Sequence, residues 1–180
     1  MEEIEKILIS EQELKEGVER LAKQIDRDYA GKEVLLVPIL KGSVVFGADL
    51  ARALHIPAKM DFMQVSSYGP DTVSCGTIQI KKELDIDIAG KHVLLVEDII
   101  DTGRTLFHLK NELLKRKPAS LKICTMLDKP SRRDADLQAD YTGFKVPDQF
   151  VVGYGMDYAE NFRGLPYVGI LKPEIYQKEG

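Results

Sequence analysis

Three acidic residues follow one apolar run in the segment VLLVEDIIDTGRTL, Val93 to Leu106. Glu97 and Asp98 close the run, and Asp101 comes shortly after them. Ionised carboxylates only accept hydrogen bonds and they bind hard cations, so this pair suits a vicinal diol or a hydrated magnesium ion. A buried strand does not favour charges at its end, and their presence there indicates a binding site.

The next residues, DTGRT at 101–105, have the composition of a phosphate-binding loop. They offer two hydroxyls, free backbone N–H groups at a helix start, and a glycine that lets a ligand approach the backbone closely. Asp and Thr are also ordinary helix N-caps, and acids near a helix start are favoured by its dipole. Capping alone explains one such acid but not two adjacent acids followed by this loop, so we predict a site for a phosphorylated ribose.

A second anion site is predicted at LKGS, where Lys41 and the N–H groups of Gly42 and Ser43 follow another apolar run. The alternative is an ordinary strand–helix turn with a solvated lysine. Neither GxGxxG nor GxxxxGK[ST] occurs in the chain, so the signatures of a dinucleotide-binding fold and of a P-loop are both missing.

The elements that must position these residues alternate between strand and helix. Ser10 and Glu13 form a capping-box pattern ahead of a helix. We expect buried strands at 34–40 and 92–98, each followed by a helix, and two more strands at 120–127 and 150–154. This order predicts an α/β fold with a central, mostly parallel sheet flanked by helices. The stretch MDFMQVSSYGPDTVSCGTIQIKK predicts a hairpin with a long, mobile tip.

Composition limits the possible classes of protein. The 180 residues fit a single domain, 1–180, and 44% hydrophobic residues can build a sizeable core. The formal net charge of −4 argues against nucleic acid and membrane surfaces as partners. The chain has no signal peptide pattern and no run of 18 apolar residues, so we expect a soluble cytoplasmic protein. Cys75 and Cys124 suggest neither a disulfide framework nor a zinc site, and Cys124 is expected to be a core thiol.

The segment VLLVEDIIDTGRTL resembles the phosphoribosyl-pyrophosphate signature of the type I phosphoribosyltransferases, in the wording of their hypoxanthine-guanine branch. PILKGS, VSSYG, LDKPSRR and GFKVPDQFVVGYGMDYAENFRGLPYVGIL resemble that branch in the same order. The resemblance implies a core at roughly 30–130, with a purine-binding hood from the N-terminal residues and roughly 131–180. It further implies Mg²⁺ as cofactor and a homodimer or homotetramer.

The implied reaction transfers the phosphoribosyl group from phosphoribosyl pyrophosphate to hypoxanthine or guanine, giving IMP or GMP and pyrophosphate. In the family the two acids bind the ribose hydroxyls and magnesium, which implies these roles for Glu97 and Asp98. Asp101 is implied as the general base beside ring nitrogen 7 of the purine. The 5′-phosphate loop then comprises Asp101, Thr102, Gly103, Arg104 and Thr105.

The resemblance also implies residues for pyrophosphate and for the base. Pyrophosphate contacts fall on Lys41, Gly42, Ser67, Tyr68 and Arg163, with a cis peptide between Leu40 and Lys41. Phe150 would stack on the purine, although Phe150-Val151-Val152 taken alone reads as a core strand. The remaining purine contacts are Val151 through its backbone, Asp157, which also serves a second metal, and Lys129 rather than Gln138 for the 6-oxo group.

Two alternatives stay open from the sequence. One is a phosphoribosyltransferase for another base, such as xanthine, adenine or orotate. The other is a regulator that senses phosphoribosyl pyrophosphate without catalysis, for which we find neither a DNA-binding extension nor a basic face. We assign no role to five basic residues, namely Arg132, Arg133, His55, His92 and His108.

Overall fold

The computed structural model describes residues 2–67 and 78–177. The strands are β1 (Ile4–Ile9), β2 (Val34–Leu40), β3 (Ala58–Met60), β4 (Met63–Ser67), β5 (Ile78–Lys82), β6 (His92–Ile100), β7 (Ser120–Asp128), β8 (Tyr141–Lys145), β9 (Val151–Val152) and β10 (Val168–Leu171). The helices are α1 (Glu11–Asp28), α2 (Val44–Ala53), α3 (Arg104–Leu114) and α4 (Pro173–Tyr176).

Seven strands form the large sheet, in the order β5-β4-β2-β6-β7-β8 with β3 also paired to β2. Every pairing in it is parallel except that of β4 with β5. The prediction of a central, mostly parallel sheet is therefore confirmed. Because strands β2, β6 and β7 run in one direction, their carboxyl ends and the loops that follow them meet at one edge.

The large sheet is covered on both faces, which explains the unbroken apolar runs of β2 and β6. Helices α1 and α2 pack on one face, with Leu21 and Phe46 fully buried. Helix α3 packs on the other face through Leu109. Cys124 is a free thiol buried in this core, as expected. The predicted capping box at Ser10 and Glu13 is present at the start of α1.

A second, three-stranded antiparallel sheet, β1-β10-β9, joins the two ends of the chain. Strand β1 pairs with β10 from Ile4 to Ile9, and β10 pairs with β9. The short helix α4 follows β10. This arrangement brings the turn after β9 and the last helix above the carboxyl edge of the large sheet, where Gly155 contacts Gly42.

Two differences from the sequence prediction affect the site. Strand β6 does not end at Asp98 but continues to Ile100, with Glu97 paired to Thr125 of β7. The strand expected at 150–154 is reduced to Val151–Val152, because positive φ angles at Gly153 and Tyr154 turn the chain. The tip of the predicted hairpin, 68–77, lies outside the described residues. In the described part of the chain, no helix has the length and apolar character to cross a membrane.

Candidate active site

The loop after β2 contacts the end of β6 so closely that no side chain fits at Gly42. A Cβ atom at Gly42 would lie 1.8 Å from Oδ2 of Asp98, and one at Gly155 would lie 2.1 Å from the Gly42 carbonyl oxygen. Gly155 also has a φ of +97°, which favours glycine. The predicted cis peptide between Leu40 and Lys41 is present. The end of β6, the loop after β2 and the turn after β9 are therefore in direct contact.

The two acids at the end of β6, Glu97 and Asp98, are half-buried, so that ionising them costs free energy. Burial, reinforced by the charge of Asp98, raises the pKa of Glu97 well above its ordinary value. Burial likewise raises the pKa of Asp98 from 3.8 to about 6, against the lowering effects of the Ile99 N–H and of Arg163. A ligand that offers hydroxyl donors or a divalent cation would relieve this cost.

Alternation along β6 directs the two acids into different cavities. Glu97 lines a cavity of about 180 Å³ together with the predicted phosphate loop, 101–105. Gly103, with a φ of +80°, is the N-cap residue of α3, so the first N–H groups of α3 are available beside this cavity. The geometry matches the predicted 5′-phosphate site, where N–H groups and hydroxyls surround a small anion.

Arg133, to which we assigned no role from the sequence, holds the predicted phosphate loop through three contacts. Its Nε donates to the carbonyl of Asp101 at 3.2 Å and its Nη1 to the carbonyl of Leu137 at 2.7 Å. Its Nη2 pairs with Asp128 at the end of β7. The Cβ position of Gly103 would lie 2.9 Å from Cδ of Arg133, so the loop glycine and this arginine are packed together. A sequence signal for this role is lacking, because neighbouring arginines usually remain solvated.

A larger cavity of about 470 Å³ lies on the other side of β6 and receives Asp98. Six of the predicted site residues line it: Asp98, Asp101, Lys129, Phe150, Val151 and Asp157. Six further lining residues were not predicted: Ile99, Arg132, Asp148, Gln149, Met156 and Tyr176. The lining includes Lys129, whereas Gln138 is exposed and does not line this cavity. Residues predicted to bind ribose, to act as general base and to bind the purine therefore line the same cavity.

Two contacts inside the larger cavity involve residues that the sequence did not single out. Arg132 donates from Nε to Oδ1 of Asp101 at 2.9 Å, so the expected general base is paired with an arginine. The ring of Phe150 stacks on Tyr176 of α4, with centroids 4.8 Å apart and planes inclined by 23°. Phe150 is nonetheless 36% exposed, so its ring remains accessible to a planar ligand.

The predicted pyrophosphate residues Lys41 and Arg163 are linked through a carboxylate. Lys41 Nζ lies 3.0 Å from Oε2 of Glu160, and Arg163 Nη2 lies 3.0 Å from Oε1 of the same residue. Arg163 also pairs with Asp157 at 3.1 Å and donates to the carbonyl of Gly155. Glu160 was not predicted. Ser67 is the exposed last residue of β4, and Tyr68 lies outside the described residues.

The donor set fits a magnesium ion that is only partly coordinated by protein. Among residues 2–67 and 78–177, no group of three acids, histidines or cysteines forms a closed metal cage. Mg²⁺ characteristically binds through one or two carboxylates, waters and substrate phosphates. Asp98 and Asp157 line the same cavity, and burial raises the pKa of Asp98, a cost that a bound cation would offset.

The comparisons with known proteins agree with this geometry. A family model described as "Phosphoribosyl transferase domain" matches residues 5–159. The chain belongs to the phosphoribosyltransferase family. A hypoxanthine-guanine phosphoribosyltransferase of Streptococcus pneumoniae is 52% identical over 174 residues, covering 97% of each chain. The phosphoribosyltransferase of the same name from Bacillus subtilis is 50% identical over 175 residues, again covering 97% of each.

Solved phosphoribosyltransferase structures have the same fold. A Staphylococcus aureus hypoxanthine phosphoribosyltransferase superposes with a TM-score of 0.94 at 47% identity, covering 97% of this chain and 95% of that one. A Bacillus anthracis hypoxanthine-guanine phosphoribosyltransferase gives a TM-score of 0.91 at 49% identity, covering 94% and 100%. The expected fold class and the hypoxanthine-guanine branch of the phosphoribosyltransferases are both confirmed.

The substitution Asp98→Asn should stabilise the ligand-free protein in a pH-dependent way. A carboxyl whose folded pKa is raised from 3.8 to about 6 destabilises the folded state fully at pH 7, where it is ionised in both states, and progressively less as the pH falls from 6 towards 3.8. We expect Asp98→Asn to increase the free energy of unfolding by about 1–3 kcal/mol at pH 7.5 and by much less at pH 4.5. Urea unfolding at the two pH values measures this.

The matched control is Asp136→Asn, an exposed aspartate in the loop after β7, which should change stability little at either pH. An effect of Asp98→Asn that is equal at the two pH values would contradict the burial of an unfavourable charge at this position.

Proposed function

We propose that this enzyme salvages purines by transferring the phosphoribosyl group of phosphoribosyl pyrophosphate to hypoxanthine or guanine, giving IMP or GMP. The supporting observation is the pair of cavities on the two sides of β6. The smaller contains the phosphate loop and the larger contains the purine residues, and the acids that would bind ribose, Glu97 and Asp98, lie between them. A nucleoside monophosphate has these three parts in this order.

The larger cavity suits a planar, polar base. Phe150 and Met156 offer apolar surfaces for the ring, and Asp101 lies at the edge nearest the ribose site. Lys129 is buried, and its backbone N–H donates to the carbonyl of Ile100. The backbone from which its side chain extends is therefore held in place. We propose that the Lys129 ammonium reads the 6-oxo group, which hypoxanthine and guanine carry and adenine lacks.

In the proposed reaction a purine ring nitrogen forms a bond to C1 of the ribose while the bond from C1 to the pyrophosphate oxygen breaks. The electron pair of that bond leaves with pyrophosphate, and C1 carries positive charge in the transition state. Lys41 and Arg163 stabilise the negative charge that develops on the leaving group. Asp101 accepts the purine proton at nitrogen 7, which requires Arg132 to share or release this carboxylate.

The group expected to complete the site is Mg²⁺: Glu97 and Asp98 would hold one ion and Asp157 a second, in each case together with substrate oxygens. When bound, the ion would neutralise charge on the pyrophosphate. We also propose, from the family resemblance, that the enzyme acts in the cytoplasm as a homodimer or homotetramer. Size-exclusion chromatography with light scattering measures the oligomeric state directly.

The function is tested by offering five bases in parallel with magnesium and phosphoribosyl pyrophosphate. We expect turnover of hypoxanthine and guanine, with adenine and orotate inert, because Lys129 donates to a 6-oxo group. Turnover of xanthine alone would replace the substrate assignment. Binding of phosphoribosyl pyrophosphate without turnover of any base would replace the enzyme by a regulator that senses this compound.

The substitution Asp101→Asn should lower kcat while leaving the affinity for phosphoribosyl pyrophosphate nearly unchanged. The amide keeps the shape of the carboxylate but cannot accept the purine proton, and general base catalysis typically contributes about 10²–10⁴-fold. Steady-state kinetics with hypoxanthine and direct titration with phosphoribosyl pyrophosphate separate the two quantities. Asp136→Asn serves as the control, and equal losses in binding and turnover would argue against a base at Asp101.

A further inference from the structure

Glu160 links the two cations that are proposed to bind pyrophosphate. One carboxylate oxygen lies 3.0 Å from Lys41 Nζ, and the other lies 3.0 Å from Arg163 Nη2. Both are ion pairs, so the Glu160 carboxylate neutralises part of the charge of the two cations. Two oxygens of one anion, each bonded to a different cation, reproduce what two oxygens of a phosphate would do at the same place.

The backbone presents Glu160 to these cations. Ala159 and Glu160 have φ angles of 49° and 64°, in the left-handed region that non-glycine residues rarely adopt. The N–H of Glu160 donates to Oδ2 of Asp157 at 2.8 Å, which closes the turn. The same turn therefore carries the proposed metal ligand Asp157 and places the Glu160 carboxylate beside it.

The two cations differ in how firmly they are held. Arg163 keeps a hydrogen bond of 2.8 Å to the Gly155 carbonyl and an ion pair with Asp157, so it stays in place without Glu160. In the part of the chain that the structure describes, Glu160 is the one acid within 4.0 Å of the Lys41 ammonium. Glu160 itself is 64% exposed, and exposed ion pairs are weak enough for a doubly charged anion to displace them.

We propose that Glu160 is an internal competitor of pyrophosphate. In the ligand-free enzyme its carboxylate occupies Lys41 and Arg163, and it gives them up when the pyrophosphate group of substrate or product binds. This inference rests on the proposed function, since it assumes that these cations bind pyrophosphate. Its consequence is that Glu160 weakens the binding of pyrophosphate and so favours product release.

The opposite role predicts the opposite sign. If Glu160 positioned Lys41 for the ligand and stayed in contact during binding, its removal would weaken pyrophosphate binding and lower turnover together. A purely structural role would affect stability without tightening the binding of any ligand. An increase in affinity is therefore the outcome that separates competition by Glu160 from these two roles.

The test measures the affinity for magnesium pyrophosphate by calorimetry in the wild type, Glu160→Gln and Glu160→Asp. We expect Glu160→Gln to bind about three- to thirtyfold more tightly, because the amide cannot compete as an anion for two cations. Glu160→Asp keeps the charge on a shorter side chain, so its affinity for pyrophosphate should lie between those of the wild type and Glu160→Gln. Inhibition of the forward reaction by pyrophosphate should strengthen in the same order.

The matched control is Glu112→Gln on α3, which removes the same charge from an exposed ion pair, that with Lys115, and should leave the affinity unchanged. Unchanged or weaker binding in Glu160→Gln would overturn the inference while the proposed function remained. Absence of pyrophosphate binding in the wild type would instead overturn the proposed function. Thermal melting of each variant shows whether a change in affinity accompanies a loss of folding.

Discussion

The site depends on the close approach of three backbone segments around Gly42. A Cβ atom there would collide with Asp98 at the end of β6, and the Gly42 carbonyl in turn lies against Gly155 in the turn after β9. This contact sets the distance between the loop after β2, the acids of β6 and the turn after β9, which are proposed to bind pyrophosphate, ribose and purine. If each binds its proposed part of the ligand, their relative placement decides whether the three parts can be bound together.

Several charged residues around this contact form ion pairs with each other. In the proposed function, a bound ligand replaces these ion pairs. Asp101 is paired with Arg132, and Glu160 bridges Lys41 and Arg163. Within residues 2–67 and 78–177 Glu97 and Asp98 form no ion pair, and burial raises the pKa of both, which makes them the less stable part of the site. Stability given up at a few charged positions is common where binding supplies the missing partners.

The sequence predicted the parallel sheet well, because β2 and β6 contain unbroken apolar runs and β7 is mostly apolar. Strands β3 and β9 are two or three residues long, too short to produce a periodic pattern. The roles of the motif residues and of Lys129 came from the family resemblance and remain predictions. Arg132, Glu160 and Tyr176 were missed because their roles come from contacts between segments distant in sequence, which no local pattern encodes.

The most direct test of this account is the kinetic effect of Gly42→Ala. The added methyl group must displace Asp98 or the loop, while Gly164→Ala, where nothing lies within 4 Å of the new Cβ, is the matched control. We expect Gly42→Ala to fold and to lose about 100-fold or more in kcat/KM for phosphoribosyl pyrophosphate, since small misplacements in a site have such effects. A Gly42→Ala enzyme as active as Gly164→Ala would contradict the account.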